Sequence, residues 1–250
     1  MTLDPLGAFD DLDEGDIAPI TFTYTISDKT YLDTATVTVN VTGTNDAPVA
    51  NPDGATTGQF VGIIASVLAN DTDVDGDDDP SHFSIDSIDD IRVTGIAAGV
   101  LTTGGVEIRP DKAGNDAISF STGTDFFELD EGDIATVEID YTMSDDLGAS
   151  SSSTFTVTVE GANDAPVANP DDVVLIEGLS LLPIFNVVAN DTDVDGDDDP
   201  SNFSLDSIDD VRVTGIAAGE LTNGGVEIHD GSKLGSPLPN SISFSPGDGW

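Results

Sequence analysis

"VEIDYTMSDDLGASSSSTFTVTVEG" runs from Val137 to Gly161 and reads as two strands around a tight turn. Val137, Ile139, Tyr141 and Met143 alternate with polar neighbours, and Phe155, Val157 and Val159 do the same beyond "DDLGAS". A period of two places each apolar set on one face of an extended chain. The segment is therefore expected to turn one side to a core and the other to water.

Working outward, the same grammar recurs. "TFTYTIS" sets Phe22, Tyr24 and Ile26 on one face, and "ATVTVNVTG" does so with Val37, Val39 and Val41. Turn clusters such as "TTGG" at Thr102–Gly105 and "DKAGND" at Asp111–Asp116 punctuate the runs. No window longer than a turn or two combines helical periodicity with caps. Short strands at this spacing predict an all-β chain built as antiparallel β-sandwiches, with about seven strands in each.

Self-comparison sets the domain plan. "NDAPVANPD" occurs at Asn45–Asp53 and again at Asn163–Asp171, and "LDEGDIA" at Leu12–Ala18 and Leu129–Ala135. Ala69–Ile108 aligns with Ala189–Ile228 without a gap. The copies differ at Ile85/Leu205 and Ile91/Val211, which exchange one aliphatic for another as buried sites do. They also differ at His82/Asn202, Val100/Glu220 and Thr103/Asn223, which change polarity as solvent-facing sites can. A fixed self-similar period signals tandem units, here of about 118–120 residues. Residues 48–165 make one continuous repeat. Residues 1–47 correspond to the last strands of a preceding repeat, and residues 166–250 to the first part of a following one.

Composition narrows the function classes. The 250 residues carry 49 acidic and 6 basic side chains, a formal net charge of −43. Nucleic acid is excluded as a partner, because phosphate contacts need clustered Lys and Arg, and an anionic membrane surface is disfavoured for the same reason. Hydrophobic residues nonetheless make up 38%, so the chain is expected to fold once something offsets its self-repulsion. Bound cations are the natural remedy. There are no cysteines; a domain of this size folds without disulfides. No stretch approaches the roughly 20 apolar residues of a membrane-spanning helix, so membrane insertion is not expected. The start, "MTLDPLGAFDD", lacks the features of a signal peptide. Met1 reads as an added start on an internal piece, with any secretion signal outside it.

The stretch Leu129–Val167 resembles the closing half of a cadherin domain. Leu129-Asp130-Glu131 stands where cadherins carry an L-D-x-E-type motif, Ser144-Asp145 where they carry Ala/Ser-Asp before a glycine turn, and Asn163-Asp164-Ala165-Pro166 where their linker motif lies. "ANDTD" is similar to the A-x-D-x-D motif early in the next domain. "TGTNDAPVA" followed by "LANDTDVDGD" resembles more closely the bacterial cadherin-like repeats of large secreted RTX adhesins, known as VCBS repeats. The resemblance covers essentially the whole chain and implies tandem Ig/cadherin-like β-sandwiches. The chain departs from the animal motif in having Ala47 or Ala165 where the final Asn stands, and Glu-Gly in place of Arg-Glu.

The acidic loops carry the candidate chemistry. "ANDTDVDGDDDPS" appears at Ala69–Ser81 and at Ala189–Ser201. Asp71, Asp73 and Asp75 before Gly76 reproduce the first half of an EF-hand loop, D-x-D-x-D-G. Alternate carboxylates on a turning chain suit Ca²⁺, which takes six to eight hard oxygens; Mg²⁺ fits less well. Zn²⁺ has no thiolates and only His82 and His229 available. A complete EF-hand is not expected, since its twelfth position would be His82 or Asn202 and no flanking helices are visible. Two arrangements stay open. The loop can close on an ion by itself through Asp71, Asp73, Asp75 and Asp77. Alternatively, as the cadherin resemblance implies, Asp71 and Asp73 join ligands of the preceding repeat, with Asp75 and Asp77 as additions. At the first junction these are Asp13, Glu14, Asp28, Asn45 and Asp46. At the second they are Asp130, Glu131, Asp145, Asn163 and Asp164, with Asp191, Asp193, Asp195 and Asp197 of the next repeat. Asp78 and Asp79 are left as solvated charge.

The expected function is a Ca²⁺-binding extender or adhesion module of a large bacterial surface or secreted adhesin, stiffened by Ca²⁺ where repeats meet and located outside the cell. Its partners are then neighbouring repeats, and the divided terminal repeats invite head-to-tail strand exchange between chains. The alternative is a Ca²⁺-dependent polysaccharide-binding module. Phe9, Phe126, Phe127 and Trp250 are its candidate aromatics, although sandwich-edge core is the plainer role for them. An enzyme is not expected, because nothing singles out a catalytic pair among so many carboxylates and no nucleophile set or phosphate loop appears.

Overall fold

A computed structural model describes residues 7–76, 78–95, 101–174, 184–195, 198–209, 225–229 and 241–245. The chain divides into two compact units, Met1–Gly161 and Ala162–Trp250.

In the first unit the Val137–Gly161 stretch does form the predicted hairpin. Its strands, Ile134–Ser144 and Ser150–Glu160, are the eighth and ninth of the chain (β8 and β9) and pair antiparallel from Ile134↔Glu160 to Ser144↔Ser150. Two further strands complete that sheet. Ser84–Gly95 (β5) lies beside β8, and Asp53–Gly58 (β3) lies beside β9, in the order β3-β9-β8-β5. A second sheet holds Ile63–Ala65 (β4), Asp116–Ser121 (β7) and Gly105–Pro110 (β6), in the order β4-β7-β6.

The two sheets share one core. Val137, Ile139, Tyr141, Met143, Phe155, Val157 and Val159 are all 0% exposed and pack in one cluster with Ile118 and Phe120 of β7. Leu68, Phe83, Phe126 and Leu129 close that cluster from the loops. In β5 two register shifts, between Ile85 and Ser87 and between Ile88 and Asp90, break strict alternation. Bulges of this kind re-aim side chains, which is how Ile88, out of phase with both Ile85 and Val93, also packs against the core they belong to.

The antiparallel sandwich includes one parallel pair: β3 runs parallel to β9, from Asp53↔Phe155 to Gly58↔Glu160. Among the described residues the repeat has an odd number of strands, β3 through β9, and its first and last strands point the same way and meet as parallel neighbours.

Residues before the linker form a separate two-stranded sheet, Ile17–Ser27 (β1) and Leu32–Thr42 (β2), paired from Ile17↔Thr42 to Ser27↔Leu32. It is the earlier copy of the β8–β9 hairpin. In the second unit Ile184–Asn186 (β10), Gly225–His229 (β11) and Ser241–Ser245 (β12) form a sheet in the order β10-β12-β11. This copies β4-β7-β6. No helix among the described residues is long and apolar enough to cross a membrane.

Candidate metal site

The linker and the acidic loop are tied together by backbone before any carboxylate is considered. Val49 and Thr72 form an isolated antiparallel bridge, in which the Val49 N–H donates to the Thr72 carbonyl at 2.7 Å. The Asn51 side-chain amide donates to the Asn70 carbonyl at 2.9 Å, and the Asn51 N–H donates to Asp71 Oδ1 at 2.7 Å. These contacts bring Asn45 and Asp46 against the loop that carries Asp73 and Asp75. The Asp46 N–H donates to Asp75 Oδ2 at 2.8 Å, and the Asp75 N–H donates to Asp73 Oδ1 at 3.1 Å.

Two other segments reach the same place. The turn before β1 puts Asp13 Oδ1 at 2.8 Å from the Gly76 N–H, which donates to it. That turn is held on the chain leaving β2, where the Gly43 N–H donates to the Asp16 carbonyl at 2.9 Å. A Cβ on Gly43 would stand 2.3 Å from the Asp13 carbonyl oxygen, so only glycine permits the approach. From the sandwich comes Asp145, which caps the β8–β9 turn: its Oδ1 accepts the N–H groups of Leu147, Gly148 and Ala149 at 2.8, 2.6 and 3.0 Å. Its Oδ2 accepts the Asn45 amide at 3.0 Å. Asp73, Asp78 and Asp145 each offer an oxygen, and all three oxygens lie within 4.8 Å of one another.

The electrostatics of this pocket are unfavourable without a counter-charge. Asp71, Asp75 and Asp145 are 3%, 4% and 4% exposed. Burial pushes the Asp75 carboxyl up; the Asp46 N–H opposes this, and the charges of Asp73, Asp46 and Asp13 add to it. Burial also raises Asp71 against the opposing Asn51 N–H. Asn45 Oδ1, Asp71 Oδ2, Asp73 Oδ2 and Asp75 Oδ1 are buried and accept no hydrogen bond. A buried carboxylate oxygen without a donor carries a large desolvation penalty. A bound cation or protonation would relieve two or more of them side by side. Hard oxygens in this number, with no thiolate and no imidazole among them, are a donor set for Ca²⁺. His82 stands outside, 3.4 Å from the exposed Asp79.

Several expectations are corrected by these positions. Asp145 belongs beside Asn45, Asp73 and Asp78, and not with Asp130 and Glu131, because the β8–β9 turn it caps is at the opposite end of β9 from Gly161. Asp28 cannot join Asp13. It caps the far turn of the β1–β2 hairpin, accepting from Thr30 and Tyr31, and those N–H groups lower its pKa. Eleven residues of β1 intervene, about 35 Å at strand rise. Asp71 turns towards Asn51, Asp53 and Tyr141. There burial, with the Asp71 charge adding, pushes Asp53 up to about 6, while the Tyr141 hydroxyl opposes the shift. Glu14 and Glu131 sit exposed on their turns, next to the half-buried Asp13 and Asp130.

Asp78 was missed as a candidate. A tight turn, in which the Asp78 N–H donates to the Asp75 carbonyl at 3.3 Å, folds it back onto Asp73. Spacing within the aspartate run gave no sign of this. Asp79 does remain outside, bonded to the N–H and hydroxyl of Ser81. Asp77 and Asp197 lie outside the described residues.

The second unit repeats the linker–loop geometry. The Asp164 N–H donates to Asp195 Oδ2 at 2.7 Å, the Asn169 N–H to Asp191 Oδ1 at 2.7 Å, and the Asp195 N–H to Asp193 Oδ1 at 3.2 Å. Asn163 donates to the Asp164 carbonyl. Asp193, Asp195 and Asp198 offer oxygens within 4.8 Å of one another.

Residues 45–158 match the family described as "Bacterial Ig domain". That match lies over the middle repeat, whose all-β sandwich agrees with an Ig-like fold. No curated protein matches. Among solved structures, the extracellular cadherin domains 1–5 of protocadherin gamma B2 are similar at 14% identity and a TM-score of 0.29. That likeness covers 93% of this chain, which spans 40% of the protocadherin chain.

Proposed function

We propose that the chain is a Ca²⁺-binding extender or adhesion module of a bacterial surface or secreted protein, of the VCBS/RTX-adhesin kind, working outside the cell. One observation carries this reading: four buried side-chain oxygens, from Asn45, Asp71, Asp73 and Asp75, have no hydrogen-bond donor. Those of Asn45, Asp73 and Asp75 lie where the linker, the acidic loop and the turns bearing Asp13 and Asp145 converge. Residues 1–47 and 48–165 contribute to the same pocket. An ion held there by Asn45, Asp73, Asp75, Asp78 and Asp145, with Asp13 and Asp46 beside them, couples the order of the linker to the order of both segments. A bacterial Ig-like domain with no evident nucleophile or acid–base pair suits a structural or adhesive role and not an enzymatic one.

Isothermal titration of Ca²⁺, with Mg²⁺ as the control, tests the reading. Saturable Ca²⁺ binding that loses one class of site in Asp75→Asn is expected; heats indistinguishable from dilution would refute it.

A second reading, Ca²⁺-dependent polysaccharide binding, draws support from an aromatic pair. Phe60 is 52% exposed and meets Phe127 edge-to-face with centroids 5.1 Å apart. Of the other aromatics named from the sequence, Phe126 is 1% exposed and belongs to the core, Phe9 is partly buried, and Trp250 lies outside the described residues. A glycan array probed with the chain and with Phe60→Ala, each with and without Ca²⁺, separates binder from spacer.

A further inference from the structure

The linker pocket holds the buried oxygens of Asn45, Asp73 and Asp75 that lack a donor, but not that of Asp71. Asp71 is 3% exposed, and its Oδ1 accepts the Asn51 N–H at 2.7 Å, which leaves Oδ2 in the interior without a donor. The groups near it are oxygens. The hydroxyl of Tyr141, fully buried in β8, lies 3.4 Å from Oδ2 of Asp53, the first residue of β3, and 3.4 Å from the Val67 carbonyl oxygen. The charge of Asp71 adds to the burial that raises both the Asp53 carboxyl and the Tyr141 phenol. Among the described residues no Lys, Arg or His pairs with Asp53 or Asp71. A hydroxyl has a single proton to donate and cannot serve all of these acceptors. Two carboxylates at the edge of an apolar core therefore carry desolvation and mutual repulsion together.

The repeats keep this set where its surroundings change. Asn51-Pro52-Asp53 returns as Asn169-Pro170-Asp171, Asp71 returns as Asp191, and Tyr24 holds the place of Tyr141 in the earlier hairpin. Directly after the aspartate the copies part: residues 54–58 read GATTG and residues 172–176 read DVVLI. In the second unit the Asn169 N–H again donates to Asp191 Oδ1 at 2.7 Å. Aspartate is a poor strand former, so the pairing of β3 gives no reason to keep one beside a second buried carboxylate.

We propose that Asp53 and Asp71 hold a Ca²⁺ of their own inside the middle sandwich, with the Val67 carbonyl and the Tyr141 hydroxyl as neutral oxygens. The inference shares the Ca²⁺ reading above, yet none of these residues is among those assigned to the linker pocket. A donor set of hard oxygens alone suits Ca²⁺, which tolerates irregular geometry and completes its shell with water. Asp53 is only half-buried and leaves that side open for the ion and its water to enter. The ion joins the start of β3 to β8 and to the loop after β4, so it stabilises the sandwich itself, whereas the linker ion orders the junction.

Equilibrium dialysis of the whole chain against Ca²⁺ tests this, together with the luminescence of Tb³⁺, a stand-in for Ca²⁺, excited through tyrosine. Asp53→Asn should bind one Ca²⁺ fewer than the wild type and keep the class of site that Asp75→Asn removes; Asp75→Asn should keep the ion at Asp53. The Tb³⁺ emission should fall several-fold in Tyr141→Phe and in Asp53→Asn, and persist in Tyr24→Phe and in Asp75→Asn. Asp53→Asn relieves a repulsion, so its melting point in calcium-free buffer should be no lower than that of the wild type, and its gain on adding Ca²⁺ smaller. An unchanged ion count in Asp53→Asn overturns the proposal, and leaves the linker pocket standing if Asp75→Asn still loses its ion; the carboxylate pair then holds a proton. Emission undiminished in Tyr141→Phe overturns it as well. A wild type that binds no Ca²⁺ overturns both readings.

Discussion

Asp75 concentrates the residue-scale physics of this chain. Its Oδ2 accepts the linker N–H of Asp46, while its Oδ1 is buried with no donor. Asp75→Asn keeps the size and the acceptor but removes one charge. In calcium-free buffer this variant should melt at or above the wild-type temperature, because repulsion with Asp73, Asp46 and Asp13 is relieved. In calcium it should melt below it; melting curves in the two buffers check the crossover. Asp53 supplies a second residue-scale outcome. Its folded pKa of about 6 lies above the ordinary carboxylate value of about 3.9. The folded state therefore binds more protons than the unfolded one between those values, and stability falls as pH rises through that window. Asp71 and Asp75 are raised too and act in the same direction. The metal-free chain is expected to melt higher at pH 5 than at pH 7.5, with a smaller difference in Asp53→Asn. A melting point that climbs with pH over this range would contradict the assignment.

At the scale of elements, the turns that carry Asp13 and Asp130 are held by backbone contacts that tolerate little. Gly43 lets the Asp13 turn lie on the chain leaving β2, and Gly161 does the same for the Asp130 turn, where a Cβ would meet the Asp130 carbonyl oxygen at 2.3 Å. Gly43→Ala should push Asp13 away from Gly76 and weaken Ca²⁺ binding several-fold, with the melt of the metal-free middle sandwich unchanged. Calorimetric titration of the variant reads this directly. The β8–β9 hairpin is the central element of the core. Ile139 is 0% exposed between two strands, so Ile139→Ala is expected to cost about 2–5 kcal/mol, measurable by urea unfolding.

For the whole molecule, the acidic composition and the pocket geometry make one prediction together. A ligand that binds only the folded state stabilises it by about 2.7 kcal/mol at one hundred times its dissociation constant. For a domain of this size, each kcal/mol moves the melting point by roughly 4 °C. A rise of about 10 °C from EDTA to saturating Ca²⁺ follows from these two figures, with much less in Mg²⁺. A melt that ignores Ca²⁺ would reduce the aspartates to solvated charge and leave the buried oxygens to be filled by protons.

The sequence by itself determined the strands and the repeat. Alternation at Val137–Met143 and Phe155–Val159 is a local signal, because side chains of an extended chain alternate whatever surrounds them. The aspartate runs likewise marked the loops where carboxylate oxygens cluster. Only the tertiary structure decided which carboxylates meet. Asp28 and Asp145 occupy equivalent turns in the two hairpins, yet Asp145 reaches Asn45 and Asp73 while Asp28 stands a strand length from Asp13. Asp78 enters through a turn, and Asp71 leaves to hold Asn51 beside Asp53 and Tyr141. Strand direction and loop closure over a hundred residues of separation set these distances, and no spacing along the chain encodes them.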